Sequence, residues 1–151
     1  MTRNIKHYPY LKKSVSLCDV HIDEIICMEN AVRFVFNSGF FLVEDNKSIQ
    51  TKTGYVEFGE CNTDEFICHI VKRIPTQSGA QLFGTPVSIF ELSRLLSEGH
   101  KKIELFLELY DSEFMYWRGT LLPHKQCGLS DNVVIESSGC YPITYCWEDS
   151  N

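Results

Sequence analysis

The feature that most constrains this chain is the alternation of apolar and polar residues in short segments separated by turn-forming residues. The segments 31–36, 54–58 and 64–74 show it, and a period of two places successive side chains on opposite faces of a β-strand. Aromatic residues make up 13% of the chain, and large rings favour pleated surfaces over helix bundles. Further predicted strands are 20–28, 40–43, 103–109, 114–122, 133–136 and 141–147. The sequence therefore predicts a protein built mainly of strands.

One helix is predicted, over residues 88 to 98. Ser88 and Glu91 form an S-x-x-E capping box, and Gly99 supplies a stop signal after the last turn. Apolar residues recur at helical spacing between them, so one side of this helix is expected to pack on a sheet. We predict an α+β fold, mostly β: an antiparallel sandwich or open barrel of about seven to nine strands with one helix.

The length of the chain fits a single domain. It has 151 residues, of which 44% are hydrophobic, and a domain of this size buries roughly 70% of the surface that its unfolded chain exposes. Residues 1–17 are polar and basic and include Pro9, which predicts an N-terminal arm or a short edge segment. Residues 18–151 show no fixed repeat or low-complexity tract, which predicts one β-rich domain.

The net charge of −6 is distributed unevenly. Four basic residues precede the first acidic one, and the rest of the chain carries ten basic and twenty acidic residues. An acidic body repels the phosphate backbone, so we expect no double-stranded nucleic acid partner. An acidic surface accelerates encounter with a basic protein, although charge of either sign also keeps a protein dispersed. The four basic residues are Arg3, Lys6, Lys12 and Lys13.

Cysteine usage and hydropathy predict a reducing compartment. The seven cysteines form an odd set, and a chain of this length does not need a disulfide framework. The start MTRNIKHYPYLKK lacks the apolar core of a secretory signal, and no apolar run approaches the length of a membrane span. We therefore expect a cytoplasmic protein that does not insert into a membrane.

The nearest approach to a catalytic group is the polar triplet Asp19, His21 and Asp23. Period-two alternation would place the three side chains on one face of a strand, and a carboxylate beside an imidazole is typical of a general base or a metal site. Polar positions facing solvent on a half-buried strand explain the same pattern. The chain contains no G-x-S-x-G, Walker A or G-x-G-x-x-G motif. The sequence therefore predicts neither a catalytic residue nor a cofactor.

Cysteine and histidine residues offer a weaker metal hypothesis. Cys18 and His21 stand at C-x2-H spacing, and other candidates could converge on them in space. Structural zinc sites usually contain paired C-x2-C ligands, and this chain has none. We therefore predict no metal site. The other candidates are Cys61, Cys68, His69, Cys140 and Cys146.

A reactive thiol is the other enzymatic possibility. Cys127 lies next to the polar pair His124 and Lys125, whose charges could favour a thiolate if the segment is exposed. An incidental loop cysteine explains the same sequence.

Aromatic residues of the late strands suggest a binding surface. Tyr116 and Arg118 share one strand face, while Tyr141, Tyr145 and Trp147 share a face of another strand. Such amphipathic rings are enriched at binding surfaces. Packing of the same rings in the core is the alternative.

Three segments resemble small uncharacterised proteins of Gram-positive bacteria, including immunity-type proteins that accompany secreted toxins. They are D-V-H-I-D-E-I-I at 19–26, F-V-F-N-S-G-F-F at 34–41 and Y-C-W-E at 145–148. The resemblance covers residues 19–147 and assigns no site residue. The resemblance implies a non-enzymatic protein-binding module that acts on a protein partner, such as a basic toxin. A small-molecule-binding β domain and a thiol- or histidine-dependent enzyme stay open as alternatives.

Overall fold

The computed structural model describes residues 1–7, 15–111, 113–126, 129–138 and 141–150. Within these ranges the strands form three antiparallel sheets, and none of the three closes into a barrel. The predicted mostly-β α+β sandwich with one helix is confirmed. No helix in the described ranges has the length and apolar character needed to cross a membrane.

The two larger sheets form the layers of the sandwich. The five-stranded sheet has the order β1 (Thr2–His7), β14 (Ile143–Glu148), β8 (Thr53–Gly59), β5 (Ala31–Phe36) and β4 (Glu24–Met28). The six-stranded sheet has the order β10 (Gly79–Val87), β9 (Phe66–Thr76), β13 (Asn132–Ser138), β12 (Phe114–Leu122), β11 (Lys102–Asp111) and β3 (His21–Ile22). A small sheet contains β2 (Val15–Ser16), β6 (Phe41–Glu44) and β7 (Lys47–Gln50), and a 3-10 helix (Thr63–Glu65) precedes β9.

The described residues contain fourteen strands, more than were predicted. Four of the additional strands are β1, β2, β7 and β10, whose sequences lack regular alternation. The fifth arises because the predicted strand 20–28 is interrupted at Asp23 and forms β3 and β4. The four strands that the local pattern did not predict all lie at sheet edges.

Aromatic side chains fill the space between the two larger sheets. Phe34 and Phe58 from the five-stranded sheet and Trp117 from the six-stranded sheet are fully buried. The ring of Trp117 lies 4.9 Å from Phe34 and 5.5 Å from Phe58, centroid to centroid, in edge-on arrangements. Such edge-to-face contacts add to the free energy gained from burying the rings.

The helix α1 (Ile89–Ser97) confirms the predicted capping box. Ser88 Oγ accepts from Glu91 N at 3.1 Å, and Glu91 Oε2 accepts from Ser88 N at 2.7 Å. The apolar side of α1 is buried, and Ser93 Oγ donates to the Ile25 carbonyl of β4 at 2.6 Å. The helix therefore covers the β4 edge of the five-stranded sheet.

Substituting the cap residue should weaken the fold measurably. Ser88→Ala is expected to lower the free energy of unfolding by about 1 kcal/mol, because the N–H of Glu91 loses its acceptor. Urea denaturation followed by circular dichroism measures the change. Ser97→Ala at the other end of α1 is the control and should cost less than about 0.5 kcal/mol. Equal costs for the two variants would contradict the role of the cap.

The end of α1 differs from the prediction in one respect. Gly99 was predicted as the stop signal, but the residue with the left-handed backbone conformation is His100, with φ of 50°. Glycine is required at 99 for a different reason, since a Cβ there would lie 2.4 Å from the carbonyl oxygen of Leu95.

A β-bulge in β11 corrects the prediction for residues 103–109. Alternation predicted that Glu104 and Glu108 would share a partly wet face, which Phe106 and Tyr110 interrupt. In the structure the register of β11 against β12 shifts at Phe106, and an extra residue in a strand reverses the face of every residue after it. Glu108 therefore lies beside the buried Trp117, while Leu109 is 50% exposed.

Part of the predicted N-terminal arm is built into the fold. Residues Thr2–His7 form β1, which pairs with β14 at the edge of the five-stranded sheet, as the edge-segment alternative describes. Val15 and Leu17 are buried in the core. The rest of the predicted arm, residues 8–14, lies outside the described residues.

The hairpin of β9 and β10 was only half predicted. Residues 64–74 were expected to form a strand that Pro75 ends, but β9 continues through Pro75 to Thr76 and β10 follows. Pro75 is tolerated because β13 pairs with β9 only as far as Val71, so its missing N–H costs no bond to β13.

Candidate protein-binding surface

The outward-facing side of the six-stranded sheet carries a continuous group of apolar and aromatic side chains. Strand register places Ile67, Glu136, Tyr116 and Leu109 side by side across β9, β13, β12 and β11. Ile67 and Leu109 are 52% and 50% exposed. We call this surface the outer face, and it consists of Ile67, His69, Leu107, Leu109, Phe114, Tyr116, Arg118, Val134 and Glu136.

Arg118 and the ring pair beside it have fixed positions on the outer face. The Nε and Nη2 groups of Arg118 donate to Asn132 Oδ1 at 3.3 and 3.0 Å, and Asn132 is buried. Phe114 and Tyr116 stack with ring centroids 6.1 Å apart and planes inclined by 29°. A rigid face loses little side-chain entropy when a partner covers it.

A shallow pocket of about 230 Å³ opens at one end of the outer face. Glu136 is half-buried there, beside the exposed Ile67 and the half-buried Phe114. Within the described ranges the Glu136 carboxylate has no hydrogen-bond or ion-pair partner, whereas the Glu104 carboxylate on the same sheet contacts His21. Apolar walls around one carboxylate match a lysine or arginine side chain, whose stem is apolar and whose end is cationic.

The structure corrects the predicted aromatic surface. Tyr116 and Arg118 lie half-exposed on the outer face. Tyr141, Tyr145 and Trp147 instead face the core and are 6%, 1% and 3% exposed. Alternation correctly placed Tyr145 and Trp147 on one side of β14, and Tyr141 precedes that strand, but alternation did not indicate that this side is the inner one. Only Tyr116 and Arg118 of the predicted set therefore belong to an exposed surface.

An unpredicted polar network lies where the bulge turns Glu108 inward. Glu108 Oε2 accepts from Leu17 N at 2.6 Å, and Glu108 Oε1 accepts from the Tyr110 hydroxyl at 2.9 Å. Trp117 Nε1 donates to the Tyr110 hydroxyl at 2.9 Å. Burial raises the pKa of Tyr110 and of the neighbouring Tyr145 well above its usual range. The network therefore joins the backbone at Leu17 to β11. Its tyrosine hydroxyls stay protonated at neutral pH.

The predicted triplet does not form one group. Asp19 lies in a turn with φ of 64°, where the expected alternation ends. His21 Nε2 is 2.9 Å from Glu104 Oε2, and Asp23 Oδ1 is 2.7 Å from Lys102 Nζ. The two contacts join β3 and the residue after it to β11. The arrangement has the character of structural polar contacts.

Burial is the main influence on the pKa of three described thiols, Cys27, Cys61 and Cys68. Burial is the main cause that raises the pKa of Cys61 to about 11 and the pKa of Cys68 to about 12. Burial also raises the pKa of Cys27. These thiols are therefore protonated at neutral pH, which disfavours nucleophilic attack. In the part of the chain that the structure describes, no group of three or more His, Cys, Asp or Glu side chains could hold a metal ion.

The thiol candidate Cys127 lies outside the described residues, as does Cys140. Its predicted neighbours have other partners: His124 Nδ1 is 2.8 Å from Ser130 Oγ, and Lys125 Nζ is 2.7 Å from Asp131 Oδ1. Both contacts stay within the connection between β12 and β13.

The cavities give less support to a small-molecule site. A pocket of about 150 Å³ beside Tyr55 and Cys146 is about half the roughly 300 Å³ at which ligand pockets begin. The Cys146 thiol, through a hydrogen bond, is the main cause that raises the pKa of Tyr55. Two depressions of about 360 and 350 Å³ border α1, and charged and polar side chains form most of their lining, unlike typical ligand sites.

The pocket residues Ile67, Phe114 and Glu136 are not predictable from local pattern, because they come from three different strands. One signal was available, because Glu136 is the only charge in the otherwise uncharged segment 132–138.

Comparison of the chain with protein-family models, with curated proteins and with solved structures found no significant match in any of the three. Function is therefore inferred from the chemistry of the outer face.

Proposed function

We propose that this protein is a non-enzymatic protein-binding module whose outer face binds a basic protein partner. The observation that carries the proposal is Glu136, a half-buried carboxylate without an ion-pair partner among the described residues, between the apolar side chains of Ile67 and Phe114. A lysine or arginine of the partner would enter this pocket and supply the missing cation.

The remainder of the outer face has the composition of an interface centre. Aromatic residues and arginine carry much of the binding energy in protein interfaces, and Phe114, Tyr116 and Arg118 follow one another along the outward side of β12. The exposed Ile67 and Leu109 lie on either side of Tyr116. Covering these side chains would remove apolar area from water, which favours association.

The charge of the chain supports a basic partner. A net charge of −6 attracts a cationic protein over a distance set by ionic strength, and this attraction raises the association rate. The resemblance to immunity-type proteins suggests one version of this role, in which the partner is a basic toxin that the module neutralises.

Variants of the pocket test the proposal. With wild-type protein as bait at low salt, we expect a stoichiometric basic protein from the native lysate. Glu136→Lys should raise its Kd at least tenfold, because the substitution places like charges together and leaves a cation unpaired. Ile67→Asp should act in the same direction by removing an apolar wall. Titration calorimetry with the purified partner measures both changes.

A matched charge reversal on the other sheet controls for the change in net charge. Glu29→Lys, in the exposed turn between β4 and β5, should lower affinity much less than Glu136→Lys. Failure to recover any stoichiometric partner would contradict the proposal. A partner that binds the wild type and both pocket variants with the same affinity would contradict it as well.

A further inference from the structure

The edges of the sheets differ in how well they are protected from another strand. Natural proteins blunt free edges with charges, covering elements or very short strands. The β4 edge is covered by α1, β3 has only two residues, and β1 carries Arg3 and Lys6. β7 begins with Lys47.

The edge strand β10 lacks these protections. Its nine residues, Gly79–Val87, include no charged side chain, and within the described ranges it pairs on one side only, with β9. Leu82 and Phe83 are 56% and 47% exposed. Pro86 near the end of the strand is the one residue that would stop a neighbouring strand, so residues 79–85 are open to pairing.

The hairpin also extends beyond the rest of its sheet. β13 pairs with β9 only at Phe66–Val71, whereas the β9–β10 pairing continues to Thr76 and Gly79. Residues 72–83 of this overhang are all exposed. Two strands alone are marginally stable in water, and a third or fourth strand stabilises them.

Backbone geometry indicates where the next strand would bind. In an antiparallel pair, alternate residue pairs exchange both hydrogen bonds, while the residues between them direct their N–H and C=O groups to the other side. Pro75 has no N–H and lies opposite Ala80, so the exchanging pairs are the ones on either side of it. Ala80, Leu82 and Gly84 therefore direct their backbone groups away from β9.

We propose that β10 pairs antiparallel with β10 of a second copy of this chain, about a two-fold axis at Leu82. The two Leu82 residues would then lie opposite each other, and Ala80 of each copy would lie opposite Gly84 of the other. The pairing supplies about six backbone hydrogen bonds, and no like charges meet because β10 has none. The result is a continuous sheet through both subunits, with β9–β10–β10–β9 at its centre. The proposal is independent of the outer face.

Sedimentation equilibrium of the full chain over roughly 10 μM to 1 mM tests the pairing. We expect a dimer whose Kd rises at least tenfold in Leu82→Lys, because two added cations would meet at the axis. Phe90→Lys on α1 introduces the same charge at a side chain of similar exposure, 54%, and should leave the Kd unchanged. Hydrogen exchange at the Leu82 amide should slow as the protein concentration rises.

Salt separates this interaction from partner binding. Two copies of charge −6 repel each other, so dimerisation should strengthen between 0.05 and 0.5 M salt, roughly, as screening increases. Binding of a basic partner should weaken over the same range. A monomer at the highest concentration, or a dimer that Leu82→Lys does not weaken, would overturn the proposed pairing and would leave the partner-binding proposal untouched.

Discussion

Replacing Trp117 with alanine is expected to lower the free energy of unfolding by about 3–5 kcal/mol. The side chain is fully buried and packs its ring edge-on against Phe34 and Phe58 of the opposite sheet. Alanine would leave a cavity at the place where the two layers meet. It would also remove the indole N–H that donates to the Tyr110 hydroxyl, and loss of a buried hydrogen bond adds to the cost.

The neighbouring residue on the same strand provides the control. Tyr116 points to the opposite side of β12 and is half-exposed, so Tyr116→Ala should cost about 1 kcal/mol or less. Urea denaturation followed by tryptophan fluorescence or circular dichroism measures both values. If Tyr116→Ala cost as much as Trp117→Ala, the assignment of inner and outer faces of the six-stranded sheet would be incorrect.

Alkaline pH is expected to destabilise the fold steeply, beginning near pH 9. The Cys68 thiol has an ordinary pKa of 9.0, which burial and then the nearby charges of Cys27 and Glu136 raise to about 12 in the folded protein. Below pH 9 the Cys68 thiol is protonated in both the folded and the unfolded chain, so it causes no loss of stability there. Between pH 9 and pH 12 the unfolded chain loses this proton and the folded chain keeps it. Each such thiol then costs about 1.4 kcal/mol per pH unit.

Cys61 acts in the same direction up to its folded pKa of about 11, and the raised pKa values of Tyr110 and Tyr145 add to the loss above pH 10. Urea midpoints from pH 8 to pH 11, measured with a reductant present, give the profile. Cys68→Ala should reduce the loss of unfolding free energy per pH unit by the contribution of one thiol, even if the variant is less stable at every pH. Identical slopes for the variant and the wild type would show that Cys68 does not titrate as inferred.

Local sequence signals were sufficient to predict two kinds of element: a helix, whose backbone hydrogen bonds lie within its own segment, and a strand that buries one face. The capping box at Ser88 and Glu91 lies within four residues, so the sequence predicts α1 almost to the residue. The alternation at 31–36 predicts β5 with its observed bounds. The strand β10 was not predicted, because an exposed edge strand does not need alternating apolar residues. The bulge was not predicted because an apolar residue on the polar side of the pattern, Phe106, does not by itself indicate an inserted residue.

The candidate site was only partly accessible from sequence. Tyr116 and Arg118 were found because their types are typical of binding surfaces and their spacing is local. Glu136 gains its significance from Ile67 and Phe114, and that proximity depends on the register of β9, β13 and β12. Register across strands is a long-range property, and alternation alone does not indicate which face of β14 is turned inward.

The bulge at Phe106 has a consequence for the evolution of this chain. One inserted residue exchanges the inward and outward positions of everything from Leu107 to the end of β11. A homologue without that residue could keep the same interior only by exchanging its polar and apolar residues over that stretch. Loss of the insertion and reversal of the hydropathy pattern should therefore occur together in any lineage that shares this architecture.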